Sequence, residues 1–444
     1  MKKQIIIIPI YKIQLTAEEV ISLKQCFKIL GNHTIKFVAP VGLNTSSYES
    51  ILQKSIEVEY FDAIFFENIS GYNKLMLSLD FYRRFESFAY MLVYQLDCYV
   101  FRDELAFWCN KGFTEWTNVT NANPYFKGHY QPQLPSDLGF YDLRLKEARL
   151  EQIKLAKEYG IHGFCYYYYW FNGKRLMNEP LDRMLSNKEE DFPFMYCWAN
   201  ENWTRRWDGL DQEVLIKQNY SDEDDLNHIR YLCENVFSDN RYIKVDNKPF
   251  FVIYRPALLP DIKRTVQKWR NIALQEYGIE LYIGYMTNFS YSDDDNIFDA
   301  VINFEPDFSN MPTRKVHSKL DLFKGKYFNK KLPLNDHYVY DYSEYIIKAK
   351  KKLKINNTTF PSITPSWDNS ARRKIGATII DNSAPELYGN WLKYIIEEYK
   401  KVDTKNKYIF INAWNEWAEG NHLEPCQKWG RKYLEETKKA FENQ

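Results

Sequence analysis

Tyr408-Ile-Phe-Ile411, followed by Asn412-Ala-Trp-Asn-Glu416-Trp-Ala-Glu419-Gly-Asn-His-Leu-Glu424-Pro425, decides how the rest of the chain is read. The first four residues are a β-branched and aromatic run, the pattern of a buried strand. The polar, Trp-flanked segment after it cannot continue into a dry core. Glu416 and Glu419 are therefore expected at a strand mouth. Two carboxyls with Trp414 and Trp417 beside them suit glycosidic chemistry, which needs one carboxyl held protonated and flat apolar surfaces to carry a sugar ring. Glutamates three apart are also common on solvated helix faces, and it is the flanking residues that favour chemistry.

The same beat recurs upstream. Gly163-Phe-Cys-Tyr-Tyr-Tyr-Tyr-Trp170, Phe194-Met-Tyr-Cys-Trp-Ala199, Pro249-Phe-Phe-Val-Ile-Tyr254, Leu281-Tyr-Ile-Gly-Tyr285, Ala300-Val-Ile-Asn-Phe304 and Phe360-Pro-Ser-Ile-Thr-Pro365 are apolar runs, several of them opening into polar and aromatic clusters. Helical patterns fall between them at 224–237, 260–277 and 385–400, and another at 142–159 stops at Gly160, a fitting C-cap. Parallel strands with polar groups at one end predict an α/β chain built as a (β/α)8 TIM-type barrel. An eighth strand is needed, and 91–99 is the upstream candidate.

Residues 1–107 read separately. Strands near 5–8, 35–39, 58–61 and 90–100 alternate with helices near 17–30, 48–53 and 72–85, which argues a partial three-layer α/β unit. The expected domains are thus 1–107 and 108–444, with strand 91–99 serving both. The start, Met1-Lys-Lys-Gln-Ile-Ile-Ile-Ile-Pro9, is too short for a signal peptide and reads as a first strand.

Composition narrows the function classes. Lys plus Arg and Asp plus Glu number 59 each, so no net field favours nucleic acid. No stretch approaches the roughly 20 apolar residues of a membrane span. Seven cysteines without CxxC spacing fit reduced thiols and a cytoplasmic location. With 35 Tyr, 29 Phe and 12 Trp, many in polar stretches, the chain has the surfaces of a sugar-lined cleft, although isolated Phe residues are ordinarily core. Asp97 leaves a strand end and is a weak candidate for a divalent metal; no other metal or cofactor is expected.

Two resemblances follow from longer motifs. Gly71-Tyr-Asn-Lys-Leu-Met76 and Tyr94-Gln-Leu-Asp97-Cys-Tyr-Val-Phe-Arg-Asp-Glu104 resemble the first half of an uncharacterised family with a GT-A-like, nucleotide-sugar-transferase appearance. Asp97 is similar to its metal-binding Asp, and the chain departs from that family after Trp108-Cys-Asn-Lys-Gly112. Further on, Lys111-Gly-Phe-Thr-Glu115-Trp116-Thr-Asn-Val, Gly128-His129-Tyr-Gln-Pro, Cys197-Trp-Ala-Asn200-Glu201-Asn-Trp203-Thr-Arg205-Arg-Trp207-Asp208-Gly, Trp367-Asp368-Asn-Ser-Ala-Arg372 and Ile411-Asn-Ala-Trp-Asn-Glu-Trp-Ala-Glu-Gly420 resemble the WbsX-type family related to glycoside hydrolase family 99.

That resemblance implies a TIM barrel acting on glycosidic bonds of a bacterial surface polysaccharide, O-antigen or capsule in type. In family 99 the Asn-Glu-Trp-x-Glu-Gly motif carries both catalytic carboxylates and the reaction is retaining through substrate assistance. By carry-over Glu416 is the base toward a neighbouring sugar hydroxyl and Glu419 the acid on the leaving oxygen. Glu201 resembles a third acidic contact. The expected substrate-binding set is Asn200, Glu201, Trp203, Arg205, Trp207, Asp208, Tyr254, Arg255, Trp367, Asp368, Asn415, Trp417, Glu115, Trp116 and His129. Each has an ordinary reading beside it: tryptophans at strand ends pack, arginines pair with Asp208 or Asp368, and a histidine is satisfied structurally. The expected partner is an oligosaccharide or polysaccharide. A glycosyltransferase and a non-catalytic glycan-binding protein stay open as alternatives.

Overall fold

The computed structural model describes residues 4–103, 105, 114–205, 210–287, 291, 293, 296–316 and 333–442. The chain divides into two compact units, Met1–Phe113 and Thr114–Gln444.

In the smaller unit, Gln4–Pro9, Thr34–Pro40, Val58–Phe61 and Tyr90–Val93 form a four-stranded sheet. Gln4–Pro9 lies between Thr34–Pro40 and Tyr90–Val93, and every pairing is parallel. Strand side chains alternate faces. Ile6 and Ile8 accordingly pack with Leu23, Cys26 and Leu30 of the helix Ala17–Leu30, while Ile5 and Ile7 pack with Leu75, Phe81 and Phe85 on the other face. Both faces are covered, so the unit is a three-layer α/β sandwich. The single helix expected over 72–85 is two, Ile69–Met76 and Leu79–Arg84, because the Ser78 hydroxyl accepts from the Phe81 amide and caps a new start. The strand expected over 90–100 ends at Val93, and its described partner is Gln4–Pro9. Beyond it the Cys98 amide turns back to the Gln95 carbonyl.

In the larger unit the parallel row runs in chain order through Phe164–Phe171, Phe194–Trp198, Lys248–Ile253, Tyr282–Met286, Ala300–Ile302 and Thr359–Phe360. Pro361 has no amide to donate, so the ladder breaks there. Ser362–Ile363 then carries the row on to Phe410–Ile411. Tyr196, Trp198, Phe251 and Ile253 are buried among Ile229 and Trp269 of the connecting helices Asp222–Asn235 and Ile262–Tyr277. A second core gathers Tyr342, Tyr345, Trp391, Ile395 and Leu434.

This is a mixed α/β fold with a chain-ordered parallel sheet, and among the described residues the ladders do not close into the expected eight-stranded barrel. Among the described residues no ladder joins Phe410–Ile411 back to Phe164–Phe171. A ring contact between Phe164 and Trp414, centroids 5.1 Å apart, spans that gap instead. Two further segments differ from expectation. The polar loop after Lys111 contains the helix Thr114–Thr120, anchored by Val119, which is buried. The helix expected from Asp142 begins at Lys146, because Asp142 accepts from both the amide and the guanidinium of Arg144 and holds a turn. It ends as expected, with Gly160 at φ +75° and the Ile161 amide returning to the Ala156 carbonyl at 2.9 Å.

Candidate functional site

The strand Phe410–Ile411 delivers the chain into a small hairpin in which Asn415–Glu416 pairs antiparallel with Asn421–His422. One 3-10 turn, Trp417–Glu419, closes it, and Gly420 follows at φ +55°. A side chain at Gly420 would meet the Asp368 carbonyl at 2.9 Å, so glycine is required by both conformation and space. Glu416 and Glu419 thus stand on one rigid turn at a strand mouth.

Their surroundings differ. Burial raises the pKa of Glu416, with the charge of Arg372 pulling the other way. Glu419 accepts a charged hydrogen bond from the Arg372 guanidinium on Oε1. The turn rests on Glu424, which is buried and accepts from Trp417 Nε1 at 2.8 Å, Tyr141 OH at 2.8 Å and Gln152 Nε2 at 2.7 Å. Burial pushes the Glu424 carboxyl up to about 7, against the pull of those donors. The Tyr141 hydroxyl also accepts from Asn415 Nδ2 at 2.9 Å, so Asn415 and Trp417 share one support.

Trp417 is only 2% exposed, with its indole stacked on His422 at 3.8 Å and against Trp116 at 5.8 Å. Trp116 donates to the Tyr141 carbonyl at 3.0 Å. Trp417 therefore braces the turn, and Trp116 packs half-buried against it. Beside them, Asp368 takes Gln131 Nε2 at 2.7 Å and His129 Nε2 at 2.8 Å on one oxygen. The Tyr125 amide donates to His129 Nδ1, which places a ring proton on Nε2 and makes His129 a donor to Asp368. Burial disfavours charge on Asp368, yet His129 and Ser370 leave its pKa below the ordinary value. Trp367 is 6% exposed and packs edge-on against Phe308.

A second group lies at the neighbouring mouths. Asn200 is fully buried and clamps the backbone of Arg255, donating to its carbonyl and accepting from its amide, each at 2.8 Å. Arg255 in turn donates to Glu201. Tyr254 meets Tyr167 edge to face at 5.5 Å, and Tyr167 is close enough to Glu416 for that carboxyl to disfavour its ionisation. The Tyr167–Tyr254 contact thus links the Glu201 group to the Glu416 turn. Trp203 packs on Tyr169 at 5.2 Å. Trp207 and Asp208 lie outside the described residues, as do the side chains of Glu115 and Arg205.

Arg372, Glu424, Tyr141 and Tyr167 were not singled out from sequence as site residues. Arg372 and Glu424 lie in the stretches 367–372 and 412–425, which is the available signal, and Tyr167 lies in the strand run 163–170. Among the described residues no group of three or more His, Cys, Asp or Glu side chains is placed to hold a metal. Asp97 itself is exposed and accepts a weak 3.7 Å contact from Cys98 Sγ. No helix of the described residues is long and apolar enough to cross a membrane.

A carboxyl pair on a strand-mouth turn, amid aromatic and hydrogen-bonding side chains, is the equipment of a carbohydrate-active enzyme, glycosidase or transferase in type. The chain belongs to the family described as Glycosyltransferase WbsX, whose model matches residues 93–437. A model described as a protein of unknown function (DUF5672) matches residues 55–116. Curated relatives from two strains of Xanthomonas campestris pv. campestris, both called uncharacterized protein WxcX, are 38% identical over 339 residues, 75% of this chain and 47% of theirs. The chain therefore spans about half the length of the curated relatives it matches. Solved structures similar to it include a glycoside hydrolase-like protein, with 16% identity, TM-score 0.46, and coverage of 70% of this chain and 89% of that one. Another is the GH99 endo-alpha-mannosidase from Bacteroides thetaiotaomicron, with 14% identity, TM-score 0.44, and coverage of 70% and 83%.

Proposed function

We propose that this chain makes or breaks glycosidic bonds of a bacterial surface polysaccharide, with Glu416 and Glu419 as the working carboxyls of a retaining, endo-glycosidase-like site in a (β/α)8-type unit. The observation that carries the reading is the unequal environment of two carboxyls on one turn: Glu416 desolvated, Glu419 against Arg372. Acid–base chemistry at a glycosidic bond needs that inequality. The motif carry-over makes Glu416 the base and Glu419 the acid. The charges around them support the reverse order, in which Glu416 carries the proton to the leaving oxygen and Glu419, neutralised by Arg372, draws a proton from the neighbouring sugar hydroxyl. Glu201, Asn200, Trp203, Arg205, Trp207, Asp208, Tyr254, Arg255, Trp367, Asp368, Asn415, Trp417, Glu115, Trp116 and His129 form or brace the glycan cleft in this reading.

The test is a mass-spectrometric screen of the full chain against bacterial surface oligosaccharides, with and without nucleotide sugars. Cleavage or elongation is expected, and both Glu416→Gln and Glu419→Gln abolish it. Full activity in both variants would end the proposal.

The transferase alternative is favoured by the family's description as a glycosyltransferase and by the place of Asp97 past the carboxyl end of Tyr90–Val93, where open α/β sheets bind ligands. Metal-dependent donor binding that is lost in Asp97→Ala would select it.

A further inference from the structure

We propose that Glu305 is a further carboxyl of the same strand-mouth face, a hydrogen-bond donor to a carbonyl or carboxylate oxygen of the bound glycan; the inference rests on the glycan reading above. Glu305 follows the strand Ala300–Ile302, and Asn412, at the start of the Glu416 turn, donates from Nδ2 to its carbonyl at 2.9 Å. Its neighbour Phe304 meets Tyr254 edge to face at 5.8 Å, and Tyr254 leads through Tyr167 to Glu416. Glu305 therefore belongs to the mouth that holds the carboxyl pair.

The side chain is built for one free oxygen. Oε2 accepts from the Tyr345 hydroxyl and from the Asp307 amide at 3.1 Å. The same amide lies 2.7 Å from the Tyr345 oxygen, which fixes the group's orientation. Oε1 takes no donor among the described residues, and it is not one of the sealed, unpartnered polar atoms of the interior. Glu424 shows what a purely structural buried acid looks like here: Gln152 fills Oε1, while Tyr141 and Trp417 fill Oε2. Glu305 leaves its second oxygen open.

Donors on Oε2 place the proton of the neutral acid on Oε1. Burial pushes Glu305 up to about 8; the Asp307 amide and the Lys352 charge oppose the shift, and the Asp307 charge adds to it. The charged and titratable groups around it are Asp307, which Lys352 pairs, together with Tyr345 and Tyr342 of the helix Tyr342–Lys352. A carboxylic acid donating from a desolvated site selects an oxygen that can only accept. An N-acyl carbonyl and the carboxylate of an acidic sugar both have that chemistry.

The full chain is treated at neutral pH with a water-soluble carbodiimide and glycine ethyl ester, which modify protonated, reachable carboxyls, and adducts are mapped by mass spectrometry. Glu305 is expected to be modified near pH 7 and spared above about pH 9, while Glu424 stays unmodified. Absence of the Glu305 adduct at pH 7, while exposed Glu18 reacts in the same chain at pH 5, would overturn the proposal. Methyl N-acetylglucosaminide and methyl glucuronide are then added as separate protectants. Protection by one identifies the oxygen class, and protection by neither overturns the sugar contact. Because Glu305 labelling does not depend on turnover, it survives in Glu416→Gln, so failure of the catalytic reading and failure of this one are told apart.

Discussion

The Arg372 guanidinium donates to Oε1 of Glu419 with both side chains more than three-quarters buried, at 22% and 15% exposure. The contact ties the turn after Trp367–Asp368 to the turn after Phe410–Ile411, whose strand neighbours Ser362–Ile363. Arg372→Met keeps the length of the side chain and removes its charge. It is expected to lower kcat/KM by about tenfold or more, or about 1.4 kcal/mol. Arg372→Lys should recover part of the loss, since it restores charge but not the planar fork. Steady-state kinetics on the substrate found in the screen decide it.

The order of roles at the turn is open to a leaving-group test. A good leaving group needs no proton from an acid. If Glu416 is the donor, Glu416→Gln keeps most activity on an aryl glycoside with an acidic phenol and loses it on the natural glycan. Glu419→Gln loses activity on both. The opposite pattern would restore the order given by the motif carry-over.

Glu424→Gln tests the support beneath the turn. An amide placed among three donors leaves at least one of them facing an NH2 group, at a cost of about 1–3 kcal/mol. The carboxyl's folded pKa, about 7, lies above its ordinary 4.5, so its contribution to stability is complete below about pH 4.5 and is lost as pH rises through 7. Urea midpoints of wild type and Glu424→Gln should therefore diverge at pH 4.5 and converge toward pH 8. Parallel curves would contradict the shift.

His228 gives the opposite sign. Its ring stacks on Trp170 at 4.7 Å and meets Trp269 at 5.2 Å, and its buried Nε2 has no partner among the described residues. Burial lowers its pKa from 6.5 to about 3. Stability from the neutral ring is present above pH 6.5 and declines as pH falls toward 3, at up to about 1.4 kcal/mol per unit. His228→Phe, which keeps an aromatic ring between the same neighbours, should lack that decline in acid unfolding curves.

Much of the architecture was legible because it follows from local rules. Alternating Ile5–Ile8, the runs at 164–170, 194–198 and 249–253, and the Gly160 stop each report a backbone state that depends on near neighbours. Asn200 and Trp417 are expected as sugar contacts and are buried, and Trp116 is half-buried against Trp417; sequence gives polarity and size, and cannot say which face is covered. The side chain of Arg205, with Trp207 and Asp208, falls outside the described residues.

Sequence by itself determined a parallel α/β chain whose final strand ends in a carboxyl pair, since period, capping and motif spacing are properties of short segments. Only the tertiary structure decided that the two carboxyls are unequal. Arg372 is 47 residues from Glu419, and Glu424 is held by Tyr141 and Gln152 from 283 and 272 residues away. Proton affinity depends on what surrounds a group through space, and those neighbours arrive from segments far apart in the chain.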